Sequence, residues 1–451
     1  MPGKINYVPH TEADIKLMLK EIGVASLEDL LRDIPEELLC KSIDIPSGIS
    51  ELELKRSLKS LSDKNADLAK YTSYLGAGAY EHFIPSVVDH LSGRGEFYTC
   101  YTPYQPEVSQ GTLQGIYEFQ SMMCGLLAMD VVNASMYDGA SSLAEAAILA
   151  LRHKQKDKVI VSKTVHPEYR KTLSTYLQGL NVKLMEIEMD NGTTSVSELE
   201  NKIDNNTACV LVQTPNFFGC LEEVDDLVEL THKNEALFIA CVNPISSGVI
   251  KPPGEYNADI AVGDVQVLGN NIYYGGPHAG FFAAAKGLMR KMPGRVAGIT
   301  TDTKGRRAYT LTLQAREQHI RRGKATSNIC TNQQLLALRA CIFLATLGKE
   351  GMVEIGNLNI QKSHYAMDKL NRIENITPLF DKPFFNEFAI KISGDYGLKD
   401  INKRLFEEGI LGGLDISRFY PDLKNSMLLC ITETKTKEDI DRLAALISDI
   451  L

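Results

Sequence analysis

No run of roughly 18 consecutive apolar residues occurs in this 451-residue chain, so it offers no candidate for a membrane-spanning helix. The opening residues, MPGKINYVPH, have no apolar stretch behind a basic start, which sets the expectation of a protein that is not exported and works in the cytoplasm. Like charges never run together for more than a few residues and the net charge is −9, so there is no electrostatic footprint for nucleic acid or for an anionic membrane. Cysteine never recurs in a Cys-x-x-Cys spacing. The nine cysteines, at positions 40, 100, 124, 209, 220, 241, 330, 341 and 430, are odd in number and scattered, which argues for reduced thiols and against a disulfide framework or a metal site. Internal repeats and low-complexity tracts are absent as well. What is present, 44% hydrophobic and 23% charged residues with 34 Gly and 17 Pro, suits a soluble α/β enzyme whose partners are small molecules or other proteins.

The first part of the chain reads as a helical arm, residues 1–70. Ile15, Met18, Leu19 and Ile22 recur at helical spacing after a possible Thr11 cap, and Ser50 with Glu53 forms a capping box ahead of Leu54, Leu58 and Leu61. From Tyr71 to Gln110 the chain is rich in tyrosine, glycine and proline with little periodicity, and such long irregular segments are usually functional. A large α/β domain is expected over 71–330. Helices near 107–128 and 140–154 precede the β-branched runs KVIVSK, VKLMEIEM, ACVLVQTP, ALFIACV and ADIAVGD, with helical segments near 167–179, 197–204 and 222–234 between the earlier ones. This alternation predicts a mostly parallel sheet covered on both faces, with a ligand site at the carboxyl ends of its strands. Residues 331–451 read as connecting helices, beginning near Thr331 and near Gly351, and a small α+β unit. In that unit NEFAIKI and SMLLCITE are strand candidates and LKDINKRLFEEG and TKEDIDRLAALISDI helical patterns.

Three places in the large domain have residues suited to cradling an anionic aromatic cofactor. Gly139, Ala140, Ser141 and Ser142 precede a helix, where small residues let backbone N–H groups and the helix dipole approach a phosphate; a plain serine-rich cap is the rival reading. His166 stands just beyond a strand and before a helix, either stacked on a ring or simply satisfied at a strand end. Pro215, Asn216 and Gly219 occupy the next strand-to-helix turn, which is otherwise an ordinary loop. The order of these positions resembles that of the aspartate-aminotransferase-like superfamily, fold type I of the pyridoxal-phosphate enzymes.

Two groups that would complete such a site are missing. A pyridoxal-phosphate enzyme needs a lysine for the Schiff base and an acid beside the pyridine nitrogen. Where the acid should end ALFIACV the chain reads Cys241, Val242 and Asn243, and no lysine occurs between Lys251 and Lys286. Such a chain can still serve a site shared with a partner. In fold-type-I dimers the loop after the lysine strand commonly contacts the neighbour's cofactor phosphate, and here that loop is Tyr274, Gly275, Gly276, Pro277 and His278.

The strings YTPYQPEVSQGTLQGIYEFQ, YYGGPHAGFFA and, above all, GKATSNICTNQQLLAL closely resemble motifs of the glycine cleavage system P-protein family over essentially the whole chain, and the length is that of the first subunit of the split form. The resemblance implies an oxidoreductase of glycine catabolism that decarboxylates glycine and passes the aminomethyl group to the lipoyl arm of H protein. It further implies that pyridoxal phosphate is held covalently by subunit 2, in an α2β2 heterotetramer. On this reading Tyr101, Thr102, Tyr104, Gln105, Glu107 and Asn216 belong to a shared cleft, the tyrosines alternatively packing only the interface. Gly275, Gly276, Pro277 and His278 face the partner's phosphate, Ser141, Ser142 and His166 are a vestigial cradle, and Thr326, Ser327 and Asn328 either touch the cofactor or cap the following helix. Arg321, Arg322 and Lys324 form a small basic cluster that either meets anions or lies in solvent. Two alternatives stay open: a self-sufficient fold-type-I enzyme, with Lys163 as its candidate lysine, and a non-catalytic scaffold or regulatory subunit.

Overall fold

The computed structural model describes residues 9–40, 44–327, 329–394 and 396–451, and the chain divides into two units between Ala66 and Asp67. In the first unit, α1 (Glu12–Ile22) starts at Thr11, whose hydroxyl accepts from the Asp14 N–H at 3.2 Å while the Asp14 carboxylate accepts from the Thr11 N–H at 2.7 Å. Ser50 and Glu53 make the same reciprocal box for α2 (Glu51–Ser62). Neither helix buries a residue, and Leu17, Ile22, Leu52, Leu58 and Leu61 all lie exposed, so the described residues of this unit form no core of their own.

The second unit is built on a seven-stranded sheet. After α3 (Gln110–Leu127) the chain lays down β1 (Val131–Val132), α4 (Gly139–Lys154), β2 (Lys158–Ser162), α5 (Pro167–Leu177), β3 (Lys183–Ile187), α6 (Val196–Lys202), β4 (Thr207–Gln213), α7 (Val224–Lys233), β5 (Leu237–Cys241), β6 (Ile260–Asp264) and β7 (Gly280–Ala284). The strands lie side by side as β1-β7-β6-β5-β4-β2-β3, parallel from β6 to β3, with β7 antiparallel to both its neighbours. Because successive strand residues point to opposite faces, one run supplies two cores. Ile160, Val210, Val212, Phe238, Ala240 and Phe281 join the cluster that holds α3, while Val159, Leu211, Ile239, Ile260 and Phe282 join the one under α4 and α5.

The sheet-closing strand β7 and the hairpin of β8 (Val296–Thr301) and β9 (Arg307–Thr312) have no counterpart in the sequence reading. The two helices expected after residue 331 follow one another in α8 (Gln334–Leu370), separated by a kink at Gly348, where φ 61° and ψ −168° are non-helical and open to glycine. The C-terminal segment carries an antiparallel sheet in the order β10 (Ile376–Pro378), β11 (Glu387–Ile392), β13 (Ser426–Cys430), β12 (Leu414–Asp415), packed with α9 (Leu398–Glu407) and α10 (Lys437–Ile450). Among the described residues no helix is long and apolar enough to cross a membrane.

Candidate functional site

The carboxyl ends of β2, β4, β5 and β6 converge on the expected cradle, and the chain's own side chains fill it. The α4 N-terminus is capped by Asp138, whose carboxylate accepts the Ser141 N–H at 2.7 Å, and the Gly139 N–H donates to the Asp264 carboxylate at 3.2 Å. The Ser142 hydroxyl donates to the Asp138 carbonyl at 2.6 Å. An internal acid therefore stands where a helix N-terminus would receive a phosphate. A Cβ added at Gly139 would lie 2.4 Å from the Tyr169 hydroxyl, so that phenol closes the approach.

His166 is buried, with Nε2 2.7 Å from the Ala77 carbonyl and Nδ1 3.2 Å from the Glu168 N–H. Nε2 therefore donates and Nδ1 accepts, which is the neutral ring, and burial holds its pKa below the usual histidine value. The Tyr169 ring lies 5.0 Å from it. What remains between Gly78, His166, Tyr169, Asn243 and Asp264 is a cavity of about 40 Å³, room for about three waters. Cys241 and Asn243 stand at the end of β5, and the Asn243 amide oxygen is spent on the Ile245 N–H at 3.0 Å. These residues do not fit pyridoxal phosphate. Lys163, the alternative Schiff-base candidate, pairs with Glu188 and does not line the cavity.

One position changes its reading. Asn216 is 1% exposed, its amide N–H groups donating to the Gly192 carbonyl and the Glu222 carboxylate, both at 2.8 Å, and its oxygen accepting from the Phe218 and Cys220 N–H groups. Every hydrogen-bonding site it has is used internally, so it belongs to a knot beneath the β4 turn and not to a cleft. His278 is half-buried, with Nδ1 3.2 Å from the Asp264 carboxylate, which raises its pKa. Gly275 and Pro277 lie on an exposed loop with half-buried Gly276, where Gly275 and Gly276 take φ 88° and 107°.

The tyrosine-rich segment and the GKATSNICTN string, far apart in sequence, meet at another edge. The Tyr101 hydroxyl lies 3.4 Å from the Thr331 hydroxyl. Tyr104, half exposed, accepts a hydrogen bond at 2.8 Å from Arg295, whose guanidinium also lies 5.2 Å from the tyrosine ring centroid. Arg295 is 3% exposed and is held by the Asn332 amide oxygen at 3.3 Å and the Glu317 carboxylate at 3.9 Å, the latter also 3.6 Å from His319. The Thr102 carbonyl accepts from the Tyr104 N–H at 2.9 Å, while Gln105 and Glu107 are exposed at the turn that follows. Gln110 ties that turn to β9 through the Pro106 carbonyl and both backbone groups of Tyr309.

Thr326 bonds back to the Arg316 carbonyl, Ser327 accepts from the Ile329 N–H at 3.1 Å, and Asn328 lies outside the described residues. The capping reading of this string is overturned, because α8 begins at Gln334 with no side-chain cap. Arg295, Glu317, His319 and Gln110 escaped the sequence reading. The one available signal was an arginine set among apolar and small residues in MPGRVAG.

A mostly parallel seven-stranded sheet in this order, with helices on both faces and a cradle at its carboxyl edge, has the fold-type-I architecture of the pyridoxal-phosphate enzymes. Solved structures of a Burkholderia pseudomallei K96243 sphingosine-1-phosphate lyase and of a NifS-like protein share the fold, each at 14% identity. Their TM-scores are 0.67 and 0.64, with 92% and 84% of this chain and 93% and 99% of theirs covered. A crystal structure of a glycine decarboxylase (P-protein) of the glycine cleavage system, in inhibitor-bound form, superposes with a TM-score of 0.92 at 43% identity over 99% of this chain and 100% of that one. The chain belongs to the glycine cleavage system P-protein family, whose profile matches residues 5–447. Curated relatives named probable glycine dehydrogenase (decarboxylating) subunit 1 are 52% identical in Carboxydothermus hydrogenoformans, over 97% of this chain and 98% of that one. In Bacillus subtilis (strain 168) the identity is 49%, over 99% of each.

Proposed function

We propose that this chain is the subunit of a two-subunit glycine decarboxylase that holds no cofactor itself, and that it completes a site on its partner. Pyridoxal phosphate is held covalently by subunit 2, the pair assembles as an α2β2 tetramer in the cytoplasm, and the aminomethyl group of glycine passes to the lipoyl arm of H protein. The observation that carries this reading is the contrast between the two edges: the chain's own cradle is closed by Asp264 and Tyr169, while Tyr101 and Tyr104 stand exposed on a braced framework. Gly275, Gly276, Pro277 and His278 remain the loop proposed for the partner's phosphate, and Thr326, Ser327 and Asn328 remain proposed contacts beside it. The division into arm (1–70), large domain (71–330) and C-terminal domain (331–451) belongs to the same proposal, the arm finding cover for its apolar residues on the partner subunit.

When bound, the cofactor supplies the electron sink for decarboxylation. The residues of this chain orient the substrate and exclude water. Arg295 donates into the Tyr104 oxygen, which leaves the phenol proton free to be donated to a carboxylate such as that of glycine. Glu107 and Gln105, both exposed a few positions on in the chain, are the acceptors assigned to an ammonium group in this reading.

The test is glycine–bicarbonate exchange with the chain alone and with its lysine-carrying partner. Exchange only in the mixture, from a colourless isolated chain, is expected. A yellow isolated chain whose absorbance borohydride fixes to one of its own lysines would overturn the proposal.

A further inference from the structure

We propose that a cavity beside residues 313–326 binds a small oxyanion, a phosphate or carboxylate compound with at least two negative charges. This goes beyond the shared-site reading, which places only Thr326 of the lining residues near the cofactor and gives the cavity itself no ligand. Its volume is about 350 Å³, and Arg290, Arg316, Arg321 and Lys324 line it together with Leu313, Ala315 and Thr326, with no acid in the wall. The four cations come from separate short turns, Lys286–Lys291, Gln314–Arg316, Gln318–Arg321 and Arg322–Lys324. No single helical periodicity accounts for their convergence. It occurs in a chain whose net charge is −9.

Each cation is held differently. Arg316 is 8% exposed, donates to the Met292 and Gly294 carbonyls, and keeps an Nε–H without a partner, so it sets a fixed positive charge in the wall. The Nε of Arg321 donates to the Ala315 carbonyl at 2.9 Å, which anchors the side chain by its inner nitrogen and leaves the outer two for a ligand. Arg290 and Lys324 are exposed, and among the described residues no carboxylate pairs with either. Next to Arg321, Arg322 takes φ 52° and ψ −128°, a sparsely populated conformation of the kind that clusters at ligand clamps. Like charges gathered around one volume repel unless an anion enters it. Guanidinium forks match the planar, two-oxygen face that phosphate and carboxylate share.

Arg316 in the wall is followed in the chain by Glu317, the acid that pairs with Arg295 behind Tyr104 and whose charge also reaches Arg316.

The experiment is calorimetric titration of the full-length chain at fixed ionic strength, with pyrophosphate in one arm and citrate in the other. Saturable binding of at least one, with one site per chain, is expected. Arg321→Gln combined with Lys324→Gln, two exposed positions, should weaken it by about tenfold or more. Arg307→Gln, an exposed cation on β9 outside the cavity, should leave it unchanged. Binding of pyrophosphate alone assigns the phosphate class, and binding of citrate alone the carboxylate class. Absence of saturable heat with both, or equal weakening by Arg307→Gln, overturns the site. Because the titration needs no partner subunit, its failure would leave the shared-site reading to stand or fall on the exchange assay.

Discussion

Replacing Glu387 by glutamine should flatten one component of the stability–pH profile. Glu387 opens β11, is 3% exposed, and accepts hydrogen bonds from the Ala77 N–H at 2.6 Å and the Tyr80 hydroxyl at 2.7 Å. It thereby pins the segment that lines the closed cradle to the C-terminal sheet. The contact is tight enough that a Cβ at Gly76 would fall 2.2 Å from the carboxylate. Burial pushes the pKa of Glu387 up from 4.5 to about 7, against the pull of its two hydrogen bonds.

The folded-state value lies above the unfolded one, so between roughly pH 4.5 and 7 the native chain keeps a proton that the unfolded chain has released. The associated stability is complete below pH 4.5 and is lost as pH rises through about 7. At about 1.4 kcal/mol per pH unit, the full displacement is worth about 3 kcal/mol, of which about 2–3 kcal/mol disappears between pH 5 and 8. Glutamine is neutral throughout. Its oxygen can keep the Ala77 bond, and its N–H can meet the Tyr80 hydroxyl, which accepts as readily as it donates. Urea midpoints of parent and variant, followed by circular dichroism from pH 5 to 8, should therefore show the variant gaining on the parent by that amount. A gap that stays constant with pH would refute the reasoning.

Asn216→Ala should cost about 2–4 kcal/mol in urea unfolding, because it strips partners from Glu222 and from two buried N–H groups, while exchange activity per folded complex stays at the parental level. Arg295→Met leaves Glu317 with His319 as its one cationic neighbour and frees the Asn332 and Tyr104 oxygens, and should destabilise the chain by about 2–4 kcal/mol. Arg295→Met combined with Glu317→Gln should recover much of that stability but still show raised KM for glycine, with Tyr104 no longer braced; parental KM in the double variant would argue that Tyr104 only packs. His278→Gln removes a histidine whose pKa Asp264 raises through their hydrogen bond. Its stabilising effect should be fully present below about pH 6.5 and fade as pH rises through the folded-state value. The difference in thermal midpoint between parent and variant should therefore shrink toward alkaline pH, and growth in that direction would contradict the assignment.

The parts of this molecule that sequence reveals are those whose cause is local. Thr11 and Ser50 start helices because a hydroxyl and an acid three residues on close a loop upon themselves. Lys158–Ser162 and Leu237–Cys241 read as strands because both faces of a parallel sheet are buried, so nearly every position must be apolar. The lost lysine and the lost acid could be seen because an absence at a strand end is itself a local fact. What filled the space was not visible. Asp264 reaches the Gly139 N–H across 125 positions, and the antiparallel pairing of β6 with β7, itself unanticipated, sets Asp264 opposite Gly280. Tyr101 meets Thr331 across 230 positions, and Arg295 joins Tyr104 to Asn332 from a turn with no periodicity at all. The motif strings are distinctive because neither capping nor amphipathic pattern accounts for them. Sequence can therefore flag that Tyr104 and Thr326 serve something other than local folding, but it cannot supply the buried arginine that makes one of them rigid. That arginine is the residue on which an exposed phenol depends if it is to hold one orientation toward a neighbour's substrate.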